Sequence, residues 1–276
     1  MNIDFYATLT GDCVTLTTPS RLILIDCGHG PDYRAIVKAS RHHGVDGLVL
    51  SHAHANHWAD LRDVLGLLTP DGWVARSGTT FAPDLMRTQR SYPKYPPVEL
   101  AHAVEAYLGL PPRPLPELHD DGWTLRDLNA SDSGLCQVAD AGDRAGVHRG
   151  CIVPVVECGG GVMVFGTDLE SSQWRRLYEQ GLLPRDIDLL HASNHGQEQG
   201  RMDPEVFRHL NPALVLISDA DPEDNDTLAH YAALGARTLS LKESGILRLV
   251  AWGGRVEIRG RRLPGLTASP YTSPAC

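Results

Sequence analysis

The sequence predicts an α/β fold of two sheets packed face to face with helices outside, and three observations carry that prediction. Short apolar runs of strand length alternate with amphipathic stretches of helical period. This rhythm of strand meanders and intervening helices recurs in two halves of the chain. The composition, 42% hydrophobic and 21% charged over 276 residues, can fill a sizeable core at a length where a layered α/β fold stays single.

The elements follow in order. Residues 3–10 and 13–18, rich in Thr, Val and Leu and separated by Gly11-Asp12, read as a hairpin. Residues 21–26 form a buried-strand pattern, closed by the turn Cys27-Gly28-His29-Gly30-Pro31. A helix is expected over 33–43, then an apolar strand over 47–51 that ends where His52 begins. Residues 153–156 and 162–165, around Gly159-Gly160-Gly161, read as a hairpin running into Gly166-Thr167-Asp168. Helices over 171–180, 204–209 and 227–234 alternate with strands over 188–190 and 213–218, and strands over 237–241, 246–251 and 255–259 close the domain. The stretch 82–122 breaks the rhythm with eight prolines and one helical pattern over 98–108. It reads either as an insertion over the mouth of a site or as a plain surface loop, since it is too short for a core of its own. The expected organisation is thus one domain over 1–266 with a Pro-rich insert at about 82–122, and a frayed tail over 267–276.

Bulk properties narrow the function. The longest apolar runs, such as 22–25 and 214–217, fall far short of a membrane span, and no basic, apolar leader opens the chain. Six cysteines without a CxxC pair suit reduced thiols in a cytoplasmic protein. A net charge of −9 repels long polyanions, whose binding draws on released counterions. Arg255, Arg259, Arg261 and Arg262 could form a local basic patch, but they read first as solvation of the last strand. The expected partner is a small anionic or neutral substrate rather than long nucleic acid, with no membrane.

The strongest chemical signal is Ser51-His52-Ala53-His54-Ala55-Asn56-His57. Imidazoles at i, i+2 and i+5 directly after a buried strand can converge on one point, and Ala53 and Ala55 leave them room. Protein sites for zinc (Zn2+), one ion or two, or for manganese (Mn2+), are built from such donors.

This segment resembles the HxHxDH signature of the metallo-β-lactamase superfamily. Leu24-Ile25-Asp26-Cys27-Gly28 looks like its LIDxG turn, and Phe165-Gly166-Thr167-Asp168 like its TGD strand end. The likeness is nearest to the soluble domain of ComEC-type DNA-uptake proteins and their free-standing relatives. Gly11-Asp12-Cys13 sits where those have GQGDS, Ser193-Asn194-His195-Gly196-Gln197 where they have HHGS, and Ile217-Ser218 where a strand ends in Ser. The resemblance covers residues 3–75 and 147–258. It implies a four-layer αββα sandwich and a hydrolytic metal centre. His52 and His54 would hold a first ion, with His148, before Ile152, as the candidate third ligand. Asp168 would be the bridging carboxylate, and His57 and His195 would serve a second ion. Asp26 would orient the histidine loop from behind.

Two departures fall on one half of that centre. Asn56 stands in place of the aspartate of HxHxDH, which in relatives helps hold the second ion and orients the attacking water. Asn194 stands in place of the first histidine of HHGS. An amide oxygen is a weak neutral ligand, so the second ion loses one or two of its holders. His191 reads as a supporting or surface residue, and His29 as a loop residue. Three functions stay open: hydrolysis of a phosphodiester in a nucleotide or nucleic acid by metal-activated water, with Asp168 and Asn56 beside the reacting groups; hydrolysis of a small lactone, thioester or amide in a biosynthetic pathway; and a non-catalytic metal-binding scaffold.

Overall fold

The computed structural model describes residues 1–8, 11–81, 97–120, 122–134, 137–139, 144–218, 226–244, 247–252, 255–260 and 271–272. In chain order the strands are β1 (Asn2–Phe5), β2 (Val14–Thr17), β3 (Leu22–Ile25), β4 (Val45–Leu50), β5 (Leu68–Arg76), β6 (Thr79–Phe81), β7 (Leu118–Asp120), β8 (Trp123–Asp127), β9 (Gln137–Ala139), β10 (Pro154–Cys158), β11 (Gly161–Phe165), β12 (Leu189–His191), β13 (Leu214–Ile217), β14 (Arg237–Ser240), β15 (Leu247–Trp252), β16 (Arg255–Gly260) and β17 (Tyr271–Thr272). The helices are α1 (Tyr33–Ser40), α2 (Leu61–Leu65), α3 (Pro97–Gly109), α4 (Ala130–Ser133), α5 (Arg144–Arg149), α6 (Ser171–Glu179), α7 (Pro204–Leu210), α8 (Asp226–Ala233) and α9 (Leu241–Ser244). The fold is mixed α/β with sheets flanked by helices, the class that the sequence predicts.

The chain divides into two compact units. One comprises Thr8–Leu115 and Ala130–Ile152, the other Met1–Ala7, Pro116–Asn129 and Val153–Cys276. In the first unit the strands run β2-β3-β4-β5, with β2 antiparallel to β3 and the later pairs parallel. Helix α1 makes the crossover from β3 to β4 that a parallel pair requires. Its start is fixed by Asp32, whose side chain accepts the Ala35 N–H at 2.9 Å, and Arg41 in the left-handed conformation ends it. Every residue of β3 is buried, as its unbroken Leu-Ile-Leu-Ile run requires. Because β3 and β4 are parallel in register (Ile25 opposite Val49), their C-terminal ends lie side by side. Asp26 and the histidine loop therefore leave the sheet together, at the edge where open α/β sheets bind ligands.

The second unit holds a seven-stranded sheet in the order β14-β13-β12-β11-β10-β8-β7. Strands β11 to β14 are parallel and linked by α6, α7 and α8; the others are antiparallel. The β10–β11 hairpin turns through Gly159 and Gly160, at φ 59° and 85°, the paired positive-φ conformation that tight hairpins demand. An antiparallel ladder, β17-β16-β15-β1, belongs to the same unit. Phe5 of β1 stacks on Phe165 of β11, with centroids 5.8 Å apart, so ladder and sheet share one apolar layer.

The elements expected after residue 153 appear within one or two residues of their predicted ends. Strands β5 to β9 and the short helices α2, α4 and α5 were not anticipated. In β5 the Pro70-Asp71-Gly72 run imitates a turn, although the strand continues through it beside β4, with a register shift there. Within the proline-rich stretch, residues 82–96 and 121 lie outside the described residues. The expected helix forms as α3, with Ala103, Val104 and Tyr107 buried, and Leu118–Asp120 is the edge strand of the seven-stranded sheet. Within 267–276, Tyr271–Thr272 pairs with β16, and the other tail residues lie outside the described set. Arg261 and Arg262 also lie outside it. Among the described residues, Cys13, Cys27 and Cys158 are buried free thiols, and Cys151 is buried as well. No helix among the described residues is long and apolar enough to cross a membrane.

Candidate metal centre

In the first unit the site grows from Asp26, fully buried and left-handed at φ 57°. Its Oδ1 accepts the Ser51 N–H at 2.8 Å, and its Oδ2 accepts the Ser51 hydroxyl at 2.7 Å and the His57 Nδ1–H at 2.7 Å. Burial pushes the Asp26 carboxyl above its ordinary range, and the charge and hydrogen bonds of His57 and Ser51 pull against that shift. Since the Ser51 hydroxyl proton goes to Asp26, Ser51 Oγ faces His52 Nδ1, 3.0 Å away, as an acceptor. These bonds assign the tautomers: His52 and His57 both carry the proton on Nδ1 and present Nε2 unprotonated.

His52 Nε2 lies 2.9 Å from His54 Nδ1, and His148 Nε2 lies 2.9 Å from the same atom. His148 is buried and comes from the last turn of α5. That turn is laced down by three bonds: Ile152 N–H to the Ser51 carbonyl at 2.9 Å, Cys151 N–H to the His148 carbonyl at 3.1 Å, and Ser77 Oγ to the Gly150 carbonyl at 2.6 Å. Gly150 permits the approach, because a Cβ there would lie 2.1 Å from the Thr79 methyl. His54 Nδ1 has at most one proton, yet it faces two ring nitrogens, one already assigned a lone pair. Three imidazole nitrogens gathered in this way suit a cation. On a tetrahedral zinc, with Zn–N of roughly 2.0–2.1 Å, ligand nitrogens lie about 3.3 Å apart. The residues present therefore fit a metal ion.

Asn56 is half-buried, and its carbonyl packs against Gly11, where a Cβ would lie 1.7 Å from the Asn56 oxygen. Gly11 also sits at φ 81°, so no other residue fits without moving the loop. Asp12 and His57 are buried, with a carboxylate oxygen and a ring nitrogen within 4.8 Å of each other. His29 Nδ1 donates to Asp60 at 2.9 Å, which gives this loop residue a carboxylate partner.

The second unit carries its own donor pair. Asp168 Oδ1 and His195 Nε2 are 3.5 Å apart, both buried. His195 Nδ1 lies 3.1 Å from Ser218 Oγ, which leaves Nε2 for the carboxylate side. Thr167, Asn194 and His195 adopt φ of 45°, 51° and 51°, and the Asn194 N–H bonds the Thr167 carbonyl at 2.6 Å. Left-handed backbone at a β-branched residue is rare and marks a position held by its surroundings. One of those surroundings is Gly166, where a Cβ would lie 2.3 Å from Ser193 Oγ. Of Asn194 and His195, the histidine is the residue beside Asp168. His191 is buried, with its ring 5.4 Å from that of Phe5.

The structure thus brings His52, His54 and His148 together, places Asp26 behind His52 and His57, and pairs Asp168 with His195. Sequence reasoning overlooked Ser51 and Asp12. Ser51 was visible as the residue before the first histidine, and Asp12 only through its Gly-Asp motif.

A family model described as the metallo-beta-lactamase superfamily matches residues 8–172. No curated protein sequence matches the chain. Among solved structures, a mutant of the CmlA beta-hydroxylase is 14% identical with a TM-score of 0.53, covering 91% of this chain and 54% of its own length. The metallo-beta-lactamase fold protein YhfI from Bacillus subtilis is 12% identical with a TM-score of 0.47, covering 90% of this chain and 99% of its own. Zn2+-bound PqqB from Methylobacterium extorquens is 12% identical with a TM-score of 0.45, covering 91% and 100%. At these identities the likeness is one of fold.

Proposed function

Because the chain belongs to the metallo-β-lactamase superfamily, we propose that it is a metal-dependent hydrolase whose substrate is a small phosphodiester. The observation that carries the reading is the convergence of His52 Nε2, His54 Nδ1 and His148 Nε2. An ion held by His52, His54 and His148 would lower the pKa of a water and polarise a phosphoryl oxygen. The protein's own part is preorganisation. Asp26, through Ser51, holds His52 in the tautomer that presents Nε2, and α5 holds His148. Asp168, beside His195, is the carboxylate to which the resemblance gives the bridging position and, with Asn56 in place of aspartate, the orientation of the water. Asn56, an amide, offers neither charge nor base.

Two arguments select the substrate class. The Gly-Asp, Ser-Asn-His-Gly and Ile-Ser motifs resemble those of ComEC-type domains, which points to phosphodiesters. The net charge of −9 favours a small substrate over a polymer. The fold does not choose the reaction, since a beta-hydroxylase shares it.

The test is metal content by elemental analysis, followed by turnover of bis-p-nitrophenyl phosphate, p-nitrophenyl acetate and a lactone. At least one zinc or manganese per chain is expected, with phosphodiester turnover that chelation abolishes and metal restores. Preference for the ester or lactone would replace the substrate class. Metal without turnover of any of the three would make the protein a binding scaffold, and no metal after reconstitution would overturn the reading.

A further inference from the structure

We infer that Asp12 supplies the carboxylate missing at Asn56, and that Asp12 and His57 hold a second metal ion beyond the three-imidazole set. The inference rests on the metal-dependent reading above and extends it to a residue outside the HxHxDH segment. Three observations carry it. Asp12 is 3% exposed and His57 fully buried, and their donor atoms lie within 4.8 Å of each other, so both flank one candidate ion position. The His57 donor is defined by its tautomer, because the Nδ1–H donated to Asp26 puts the ring's lone pair on Nε2. The backbone then holds the pair in place. Consecutive amides of one turn bind both residues, Cys27 N–H to the His57 carbonyl at 2.8 Å and Gly28 N–H to the Asp12 carbonyl at 2.9 Å. Gly11 lies against the Asn56 carbonyl with no room for a side chain. The Gly11-Asp12 segment is therefore pressed onto the loop at the residue where the aspartate is absent.

The chemistry agrees with this placement. A carboxylate oxygen with an imidazole nitrogen is a donor set for zinc or manganese, whereas the amide of Asn56 contributes no charge. Moving the carboxylate from the loop to the facing strand end keeps the negative charge beside His57 while freeing position 56.

The experiment is calorimetric titration of zinc into the chelator-stripped full chain, comparing wild type, Asp12→Asn and the double variant Asp12→Asn/Asn56→Asp. The melting temperature of each stripped protein is recorded as a control for folding. Wild type is expected to take two ions. Asp12→Asn should melt normally when stripped, keep the tighter site within about threefold, and lose the second by about 100-fold or more, the scale of a lost ligand interaction. The double variant should recover it. Unchanged stoichiometry and affinity in Asp12→Asn, or a wild type that takes one ion, would overturn the inference and leave the proposed function standing. A wild type that takes none would overturn both. If Asp12→Asn melts lower when stripped, recovery of the second ion in the double variant decides in favour, and its absence against.

Discussion

At the residue scale, one buried carboxylate organises two histidines. Asp26 receives Ser51 and His57 together, and Ser51 passes the orientation on to His52. Ser51→Ala removes that link without touching a metal-facing atom. It should weaken zinc binding by about 10–100-fold, the usual effect of losing a group that orients a ligand. A competition titration against a chromophoric chelator reads the change, and unaltered affinity would show that His52 needs no such support. The histidine triplet and Asp168 were legible from residue type and position after apolar strands. His148 was legible only through family likeness, because its neighbours along the chain carry no ligand signature. Asp12 was hidden because its nearness to His57 arises from a turn 15 residues further on, which no local pattern encodes. Nor does sequence announce the left-handed backbone at Thr167, a β-branched residue ill suited to it.

At the element scale, periodicity revealed strands with uninterrupted apolar runs and helices with clear ends. Asp203 before Pro204 is such an end, its side chain accepting the Glu205 and Val206 N–H groups at 3.0 and 3.1 Å. Periodicity failed where a strand is half-exposed and contains turn residues, as in β5, or spans three residues, as in β6, β7 and β9. Asp188 shows an element junction made by a polar group. Its side chain accepts the Val162 N–H at 2.8 Å, and its backbone joins β11 and β13 through Val162 and Leu214. Burial raises the Asp188 carboxyl above the usual range, and the Val162 bond only partly offsets that. A raised carboxyl favours the protonated folded state, so stability is full in acid and falls as pH rises through the folded value. Asp188→Asn keeps an acceptor and removes the charge. Its melting temperature relative to wild type should therefore climb as pH is raised from 4 to 7. A difference independent of pH would mean that the carboxylate is well solvated.

At the scale of the whole molecule, composition and charge shape what the protein can meet. With a net charge of −9, turnover of a small phosphodiester should change less than about twofold between 50 and 200 mM salt. A protein gripping a polymer through several phosphates would lose about 10³–10⁵ in affinity over that range. Tight, salt-sensitive binding of duplex DNA would contradict the small-substrate reading. The layered α/β class was legible because it follows from the order of strands and helices. The partition into units was not, because each unit is assembled from separate stretches of chain. That interleaving bears on how the protein is made. Strand β1 pairs with β15, and Arg248 holds Asp4 at 2.8 Å across 244 residues of chain. Closing so long a loop is slow, and the segments between are apolar while they wait. As the nascent chain leaves the ribosome, β1 emerges early, and its pairing with β15 waits until that strand has been translated. The first unit's stretches of chain are all out once residue 152 has emerged, before the Asp168 end of β11 in the second unit has left the ribosome.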